Sequence, residues 1–159
     1  MKIKKLLFLV VISVGIMTLM STTCDKVEDP AGCSGVASAT ATGEISQSFC
    51  FDEVTSFTYD PENRLSFWAK ETSTDYGFDF SIYAQNDQSI TPGTYQCGPD
   101  NPGFVELITA QDGDFYKSQS GTITISSANQ TSMSGSFNVV CEGYYNKKTI
   151  NFSGTFSNS

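Results

Sequence analysis

Apolar and polar residues alternate with a period of two in several segments of this 159-residue chain. The clearest case is the segment 76–84, in which an aromatic or aliphatic residue occupies every even-numbered position. Because successive side chains of a β-strand point to opposite faces, this alternation places one face of the strand against a core. No window after residue 24 shows the 3.6-residue period of an amphipathic helix. The pattern therefore predicts an all-β domain.

The predicted strands are short and are separated by turns rich in Gly, Pro, Asp and Asn. The segment 60–63, Asp-Pro-Glu-Asn, is a strong turn because its proline fixes φ. Many short strands joined in this way favour an antiparallel β-sandwich or an open barrel of about 8–10 strands. The predicted strands are 36–42, 44–51, 55–59, 64–71, 76–84, 93–97, 103–111, 121–126, 132–142 and 149–156.

The first 23 residues have the layout of a secretory signal peptide. Three lysines precede an apolar run at 6–20, and small polar residues follow at 21–23. A bilayer core needs about 20 helical residues, so a run of 15 is short for a permanent span. We therefore expect the leader to be removed and the protein to act outside the cytoplasm; an uncleaved anchor is the alternative.

Cys24 follows the leader directly and is the first residue of the acidic segment 24–29. This arrangement resembles the lipoprotein signals of the Bacteroidota, although Ser21 stands where the usual pattern has Leu. The resemblance implies that Cys24 carries several acyl chains, which together hold a protein stably to a membrane. It also implies a place in the bacterial cell envelope, at the outer membrane and exposed at the surface. Residues 24–35 then form a tether, and 36–159 form a single domain.

Charge and composition exclude several classes of function. Three of the nine basic residues and none of the 17 acidic residues lie in the leader, so the mature chain carries a formal net charge of −11. Such an acidic chain repels phosphate backbones, which argues against a nucleic-acid partner. The sequence contains no histidine, which excludes His-based triads and His metal ligands. Nothing in the sequence predicts a metal or another cofactor.

Four cysteines remain if Cys24 is lipidated: Cys33, Cys50, Cys97 and Cys141. An even number in an exported domain favours two disulfides, although the sequence leaves all three connectivities open. A zinc site is the rival interpretation. It is disfavoured because no Cys-x-x-Cys pair is present.

Four short motifs in the domain resemble those of small β-sandwich lipoproteins of the Bacteroidota. They combine Gly at a bend with Thr or aromatic residues in the strand, and they lie at 91–95, 120–125, 134–137 and 153–156. The resemblance implies a fold and an envelope location. It brings no activity, and no catalytic residue is carried over.

An aromatic and polar platform is the main candidate for a binding site. Trp68 and Lys70 alternate with the apolar residues of their strand, and Asp79 and Tyr83 do so on a neighbouring strand. All four should therefore face away from the core. Aromatic rings beside hydrogen-bonding groups suit the flat apolar faces of sugars. The alternative is that Trp68 turns into the core, where large aromatics are usually buried.

Tyr144 and Tyr145 form a second candidate, in the turn sequence at 143–148. Exposed tyrosines with small polar neighbours make good contacts to a ligand or partner. The alternative is that one of them folds back over the end of the sheet.

These observations predict a non-enzymatic binding module, held to the membrane by its lipid, for a glycan, a peptide or an envelope protein. A structural or accessory subunit of an outer-membrane complex is the alternative. A carboxylate-based hydrolase is the third hypothesis, because Asp and Glu are plentiful, but nothing in the sequence singles out a pair.

Overall fold

A computed structural model describes residues 33–109 and 113–158. The leader, Cys24 and most of the predicted tether lie outside the described residues. The all-β prediction is confirmed, because every regular element of the described chain is a strand. The strands are β1 (Ala37–Gly43), β2 (Gln47–Phe51), β3 (Glu53–Asp60), β4 (Arg64–Lys70), β5 (Gly77–Tyr83), β6 (Gly93–Gln96), β7 (Gly103–Ile108), β8 (Phe115–Ala128), β9 (Met133–Gly143) and β10 (Thr149–Asn158).

All ten strands belong to one antiparallel sheet. The order is β2-β1-β10-β9-β8-β7-β5-β4-β3, with β6 paired to β8. The strands at the two ends of this order, β2 and β3, are joined in the chain by Asp52 alone. The backbone N–H of Asp52 donates to the carbonyl of Lys70 at 3.0 Å, so the β2 end of the sheet reaches β4. The sheet is therefore nearly closed and barrel-like, which matches the open barrel of the two predicted architectures.

The interior is filled by apolar side chains, many of them aromatic. Phe67 and Phe78 are fully buried, as the alternation predicts for their strands. Neighbouring rings lie at centroid distances from 4.6 to 6.4 Å, in stacked, tilted and edge-on arrangements. In a small barrel the interior is just wide enough for its own side chains. The outer faces of the strands are therefore the place to look for a binding site.

Strand β8 is longer than the sequence predicts, running over Phe115–Ala128 instead of 121–126. The alternation breaks in its first half, because the pairing with β9 shifts register between Ser118 and Ser120. Before this irregularity the buried positions are even-numbered, and after it they are odd-numbered. A pattern with a single period of two cannot follow such a change.

One disulfide is present, between Cys33 and Cys50, with Cα atoms 5.5 Å apart. The expected second bridge is absent from the described chain, since Cys97 and Cys141 are both free and buried. Burial raises the pKa of the Cys97 thiol to about 11 and also raises that of Cys141. These two residues therefore behave as small apolar side chains of the core.

Candidate functional site

A groove of about 260 Å³ lies on the outer face of strands β3, β4, β5 and β7. Its floor is formed by Ser66 of β4 and Ser81 of β5, which are direct cross-strand partners. Both serines are almost fully buried, at 4% and 6% exposed, although they point outward. Arg64 covers part of the floor, and its Nη2 donates a hydrogen bond to Oγ of Ser66 at 3.0 Å. Small residues at the centre thus leave a depression that larger residues surround.

Two pairs of larger side chains form opposite walls of this groove. Trp68 pairs with Asp79 on one side of the serines, and Arg64 pairs with Tyr83 on the other. Positions four residues apart on a strand are separated by about 13 Å, which leaves room for a ligand ring between the walls. Trp68 is 39% exposed and Tyr83 is 49% exposed, so both rings offer surface to a ligand. Trp68 therefore lies on the outer face, and the alternative of a core position does not hold.

A glycine and an isoleucine set the position of the Trp68 indole. Gly77 pairs with Ile108 across β5 and β7. Because Gly77 has no side chain, the space above its backbone is left to Ile108 and the Trp68 indole. A Cβ built at Gly77 would lie 3.2 Å from Cδ1 of Ile108 and 3.4 Å from Nε1 of Trp68. The missing side chain therefore lets these two residues close over the backbone, which holds the indole as one wall.

Asp79 is the one acidic residue among the described residues that line the groove, and its pKa is strongly raised. Burial raises its pKa to about 6, and the neighbouring Glu106 carboxylate adds to this, whereas the Arg64 guanidinium acts in the opposite direction. Asp79 and Glu106 are direct partners across β5 and β7, an arrangement that costs stability when both are charged. Burial also raises the pKa of Glu106, although Lys117 lies 4.0 Å away. A half-buried acidic pair with raised pKa values is a recognised sign of a functional site.

The raised pKa of Asp79 predicts how the stability of the protein depends on pH. The pKa of Asp79 is higher in the folded chain than the value of about 3.9 expected when the chain is unfolded. The protonated carboxyl therefore contributes fully to the free energy of unfolding below pH 4, and this contribution is lost as the pH rises through about 6. We expect Asp79→Asn to be more stable than the wild type by on the order of 2 kcal/mol at pH 8, and equally stable at pH 4. Urea unfolding at pH 4, 6 and 8 measures this difference.

Glu44→Gln is the matched control, because Glu44 is an exposed carboxylate outside the groove. It should leave the free energy of unfolding unchanged across the same pH range. A stability for Asp79→Asn that matches the wild type at pH 8 would contradict the account of the Asp79–Glu106 pair.

Lys70 does not line the groove, unlike the other three residues of the predicted platform. Its Nζ lies 3.4 Å from Oε2 of Glu53, in an ion pair between β3 and β4. The basic group of the groove is Arg64 instead, which was not among the predicted site residues. The signal was available, since residues at 64, 66, 68 and 70 share one face of β4 by alternation. Phe104 of β7, which also lines the groove, could be assigned only from strand pairing.

Tyr144 and Tyr145 are exposed, with ring centroids 4.9 Å apart, in the turn between β9 and β10. The buried Asp114 carboxylate holds this turn by accepting hydrogen bonds from the backbone N–H groups of Tyr145 and Asn146, at 2.9 and 3.0 Å. Burial acts to raise the pKa of Asp114, but the N–H donors outweigh it and the pKa is lowered. Neither tyrosine lines the groove, so the structure does not join the two predicted sites.

Comparison with protein-family models, curated proteins and solved structures found no match. Within residues 33–109 and 113–158, no three or more Cys, Asp or Glu side chains are grouped so as to hold a metal ion. The same part of the chain has no helix of the length and apolar character that a membrane span requires.

Proposed function

We propose that this protein is a lipid-anchored protein of the bacterial envelope whose domain binds a glycan, without catalysis, in the groove between Trp68 and Tyr83. The observation that carries the proposal is the convergence of two exposed aromatic rings with hydroxyl, guanidinium and carboxylate groups in one groove. Aromatic side chains beside a small number of placed polar groups are a common feature of small-ligand sites.

The chemistry of the groove matches that of a sugar ring. The apolar face of a pyranose stacks on an indole, and its hydroxyl groups both donate and accept hydrogen bonds. Ser66 and Ser81 can do either, the Arg64 guanidinium only donates, and the Asp79 carboxylate accepts when ionised. These side chains stand on paired strands, and a site built on strands holds its geometry better than one built on loops.

The strand pairing favours a glycan over a peptide. A peptide commonly binds a β-protein by adding a strand to an exposed sheet edge. Strands β4 and β5, which carry the floor of the groove, are already paired on both sides. The groove is also small, at about 260 Å³, which fits a sugar unit better than a protein surface.

Loss of glycan binding in Trp68→Ala is the expected result. We expect the purified wild type to bind glycans on an array, and Trp68→Ala to bind the same glycans at least tenfold more weakly, because the stacking surface is gone. Trp68→Phe should retain part of the affinity. Fluorescence or calorimetric titration measures the dissociation constants.

Tyr145→Ala serves as the control, since Tyr145 is an exposed aromatic residue outside the groove. It should bind as the wild type does, and thermal unfolding should show that both variants are folded. Equal affinity of Trp68→Ala and wild type, or no glycan binding by the wild type, would refute the proposal.

The anchor is supported by the leader at 1–23 and by Cys24. We expect the wild type to fractionate with membranes and to incorporate labelled palmitate, whereas Cys24→Ser should do neither. Cys33→Ser, which removes a different cysteine, should stay in the membrane fraction. Retention of Cys24→Ser in membranes would show that the apolar leader itself is the anchor.

A hydrolase is the second candidate, and the facing carboxylates of Asp79 and Glu106 favour it. Cβ atoms of direct cross-strand partners lie about 4.5–5.5 Å apart, and retaining glycosidases hold their carboxyl groups about 5–5.5 Å apart. The binding module is preferred because Glu106 is ion-paired with Lys117 and does not line the groove. New reducing ends released by the wild type, and lost in both Asp79→Asn and Glu106→Gln, would favour the hydrolase.

A further inference from the structure

A second cleft, of about 290 Å³, adjoins the groove at the end of β5. It is lined by Tyr83, by the hairpin that follows it at 84–91, by Tyr95 and by Pro102. Tyr83 lines both the groove and this cleft, and about half of its surface is exposed. The two depressions therefore meet at a single aromatic ring.

Backbone hydrogen bonds hold the second cleft in shape. The N–H groups of Tyr83 and Ile90 donate to the carbonyls of Pro102 and Pro61, at 3.0 and 2.7 Å. The tip of the hairpin is closed by a bond from the N–H of Gln88 to the carbonyl of Gln85, at 3.0 Å. A cleft pinned in this way is preformed, and a ligand loses little binding energy in ordering it.

A side-chain contact fixes Tyr95, one of the residues that line the cleft. The hydroxyl of Tyr95 donates to the carbonyl of Thr91 and accepts a hydrogen bond from the N–H of Thr91 at 2.9 Å. This pair of bonds holds the Tyr95 ring against the base of the hairpin. The second cleft therefore has two aromatic residues in its lining, Tyr83 and Tyr95.

Among the described residues, none that lines the second cleft is charged. This contrasts with the formal net charge of −11 that the chain carries once the leader is removed. Its polar lining groups include the amides of Gln85 and Gln88 and the hydroxyls of Ser89 and Thr91, of which the Ser89 hydroxyl already donates to Oε1 of Glu62 at 2.5 Å. Amides and hydroxyls both donate and accept, so they match the hydroxyl groups of an uncharged sugar. Phosphate, sulfate or carboxylate groups would meet no basic partner there.

We propose that the groove and the second cleft are adjoining subsites for a linear, uncharged oligosaccharide, with Tyr83 as the platform between them. This inference rests on the proposed glycan-binding function. Each depression lies at or below the lower end of the usual volumes of ligand pockets, about 300 Å³. Each is therefore suited to a short part of a chain, and only together do they hold several units.

The test uses the full chain and three series of glucose oligomers, the cello-, malto- and laminari-oligosaccharides of one to six units. We expect affinity in the bound series to rise at least tenfold between two and four units and then to level off. Gln88→Ala should weaken binding of the longer oligomers about tenfold and leave two-unit binding within twofold, because its backbone hydrogen bond is kept. Trp68→Ala should weaken binding at every length.

Gln96→Ala is the matched control, because Gln96 is exposed on β6 and lines neither depression. It should bind all lengths as the wild type does. Affinity that is independent of length, an unchanged length dependence in Gln88→Ala, or binding confined to acidic glycans on the array would overturn this inference and leave the proposed function standing. Failure to bind any glycan at all would overturn both.

Discussion

Replacing Phe78 with alanine is expected to lower the free energy of unfolding by about 4 kcal/mol. Phe78 is fully buried on β5 and lies at the centre of the aromatic core. Removing its ring deletes buried apolar surface and leaves a cavity that rigid neighbours cannot fill. The rings around it are Phe51, Phe67, Phe80, Phe137, Phe152 and Phe156, with centroids from 4.7 to 6.4 Å away.

Denaturant unfolding measures this effect, with Tyr145→Ala as a control that removes an exposed ring. The control should change the free energy of unfolding by less than about 0.5 kcal/mol. If Phe78→Ala does not fold, Phe78→Leu provides a milder substitution, with an expected loss of about 1–1.5 kcal/mol. A cost below about 1 kcal/mol for Phe78→Ala would contradict a close-packed interior.

Reduction of the disulfide between Cys33 and Cys50 is expected to lower the free energy of unfolding by about 3 kcal/mol. The bridge closes a loop with a sequence separation of 17 and ties the start of the domain to β2. Cross-linking restricts the unfolded chain, and the predicted effect for a loop of about this length is near 3 kcal/mol. Denaturant unfolding with and without reductant measures the change.

The double variant Cys33→Ser/Cys50→Ser should be as unstable as the reduced wild type and should not respond to reductant. Cys97→Ala should still respond, because Cys97 is a free thiol in the structure. A reductant effect that persists in the double variant would contradict the assignment of Cys97 and Cys141 as free. A wild type that is indifferent to reductant would contradict the Cys33–Cys50 bridge.

The candidate site combines a rigid support with a destabilising feature. Its side chains stand on strands packed against the aromatic core, whereas Asp79 faces Glu106 and has a raised pKa. Such a pair lowers stability at neutral pH, and carboxylates with raised pKa values cluster at functional sites. A measured gain in the stability of Asp79→Asn would therefore also support a functional role for this pair.

The alternation of apolar and polar residues along single strands was enough to predict which side chains are buried and which face outward. The burial of Phe78 and the outward position of Trp68 follow from it, because a strand directs successive side chains to opposite faces whatever its neighbours are. The alternation did not predict the first half of β8, because the irregularity near Ser118 shifts the buried positions by one residue.

The tertiary structure alone decided which strands lie side by side and in which register. The pairing of β4 with β5, and of β5 with β7, brings Asp79, Tyr83 and Phe104 into the groove beside Trp68, while Lys70 is held at Glu53. The same is true of the cysteines, since four thiols allow three connectivities and only the folded chain selects Cys33 with Cys50. Strand pairing depends on contacts between residues that are distant in the chain, and a local pattern carries no information about them.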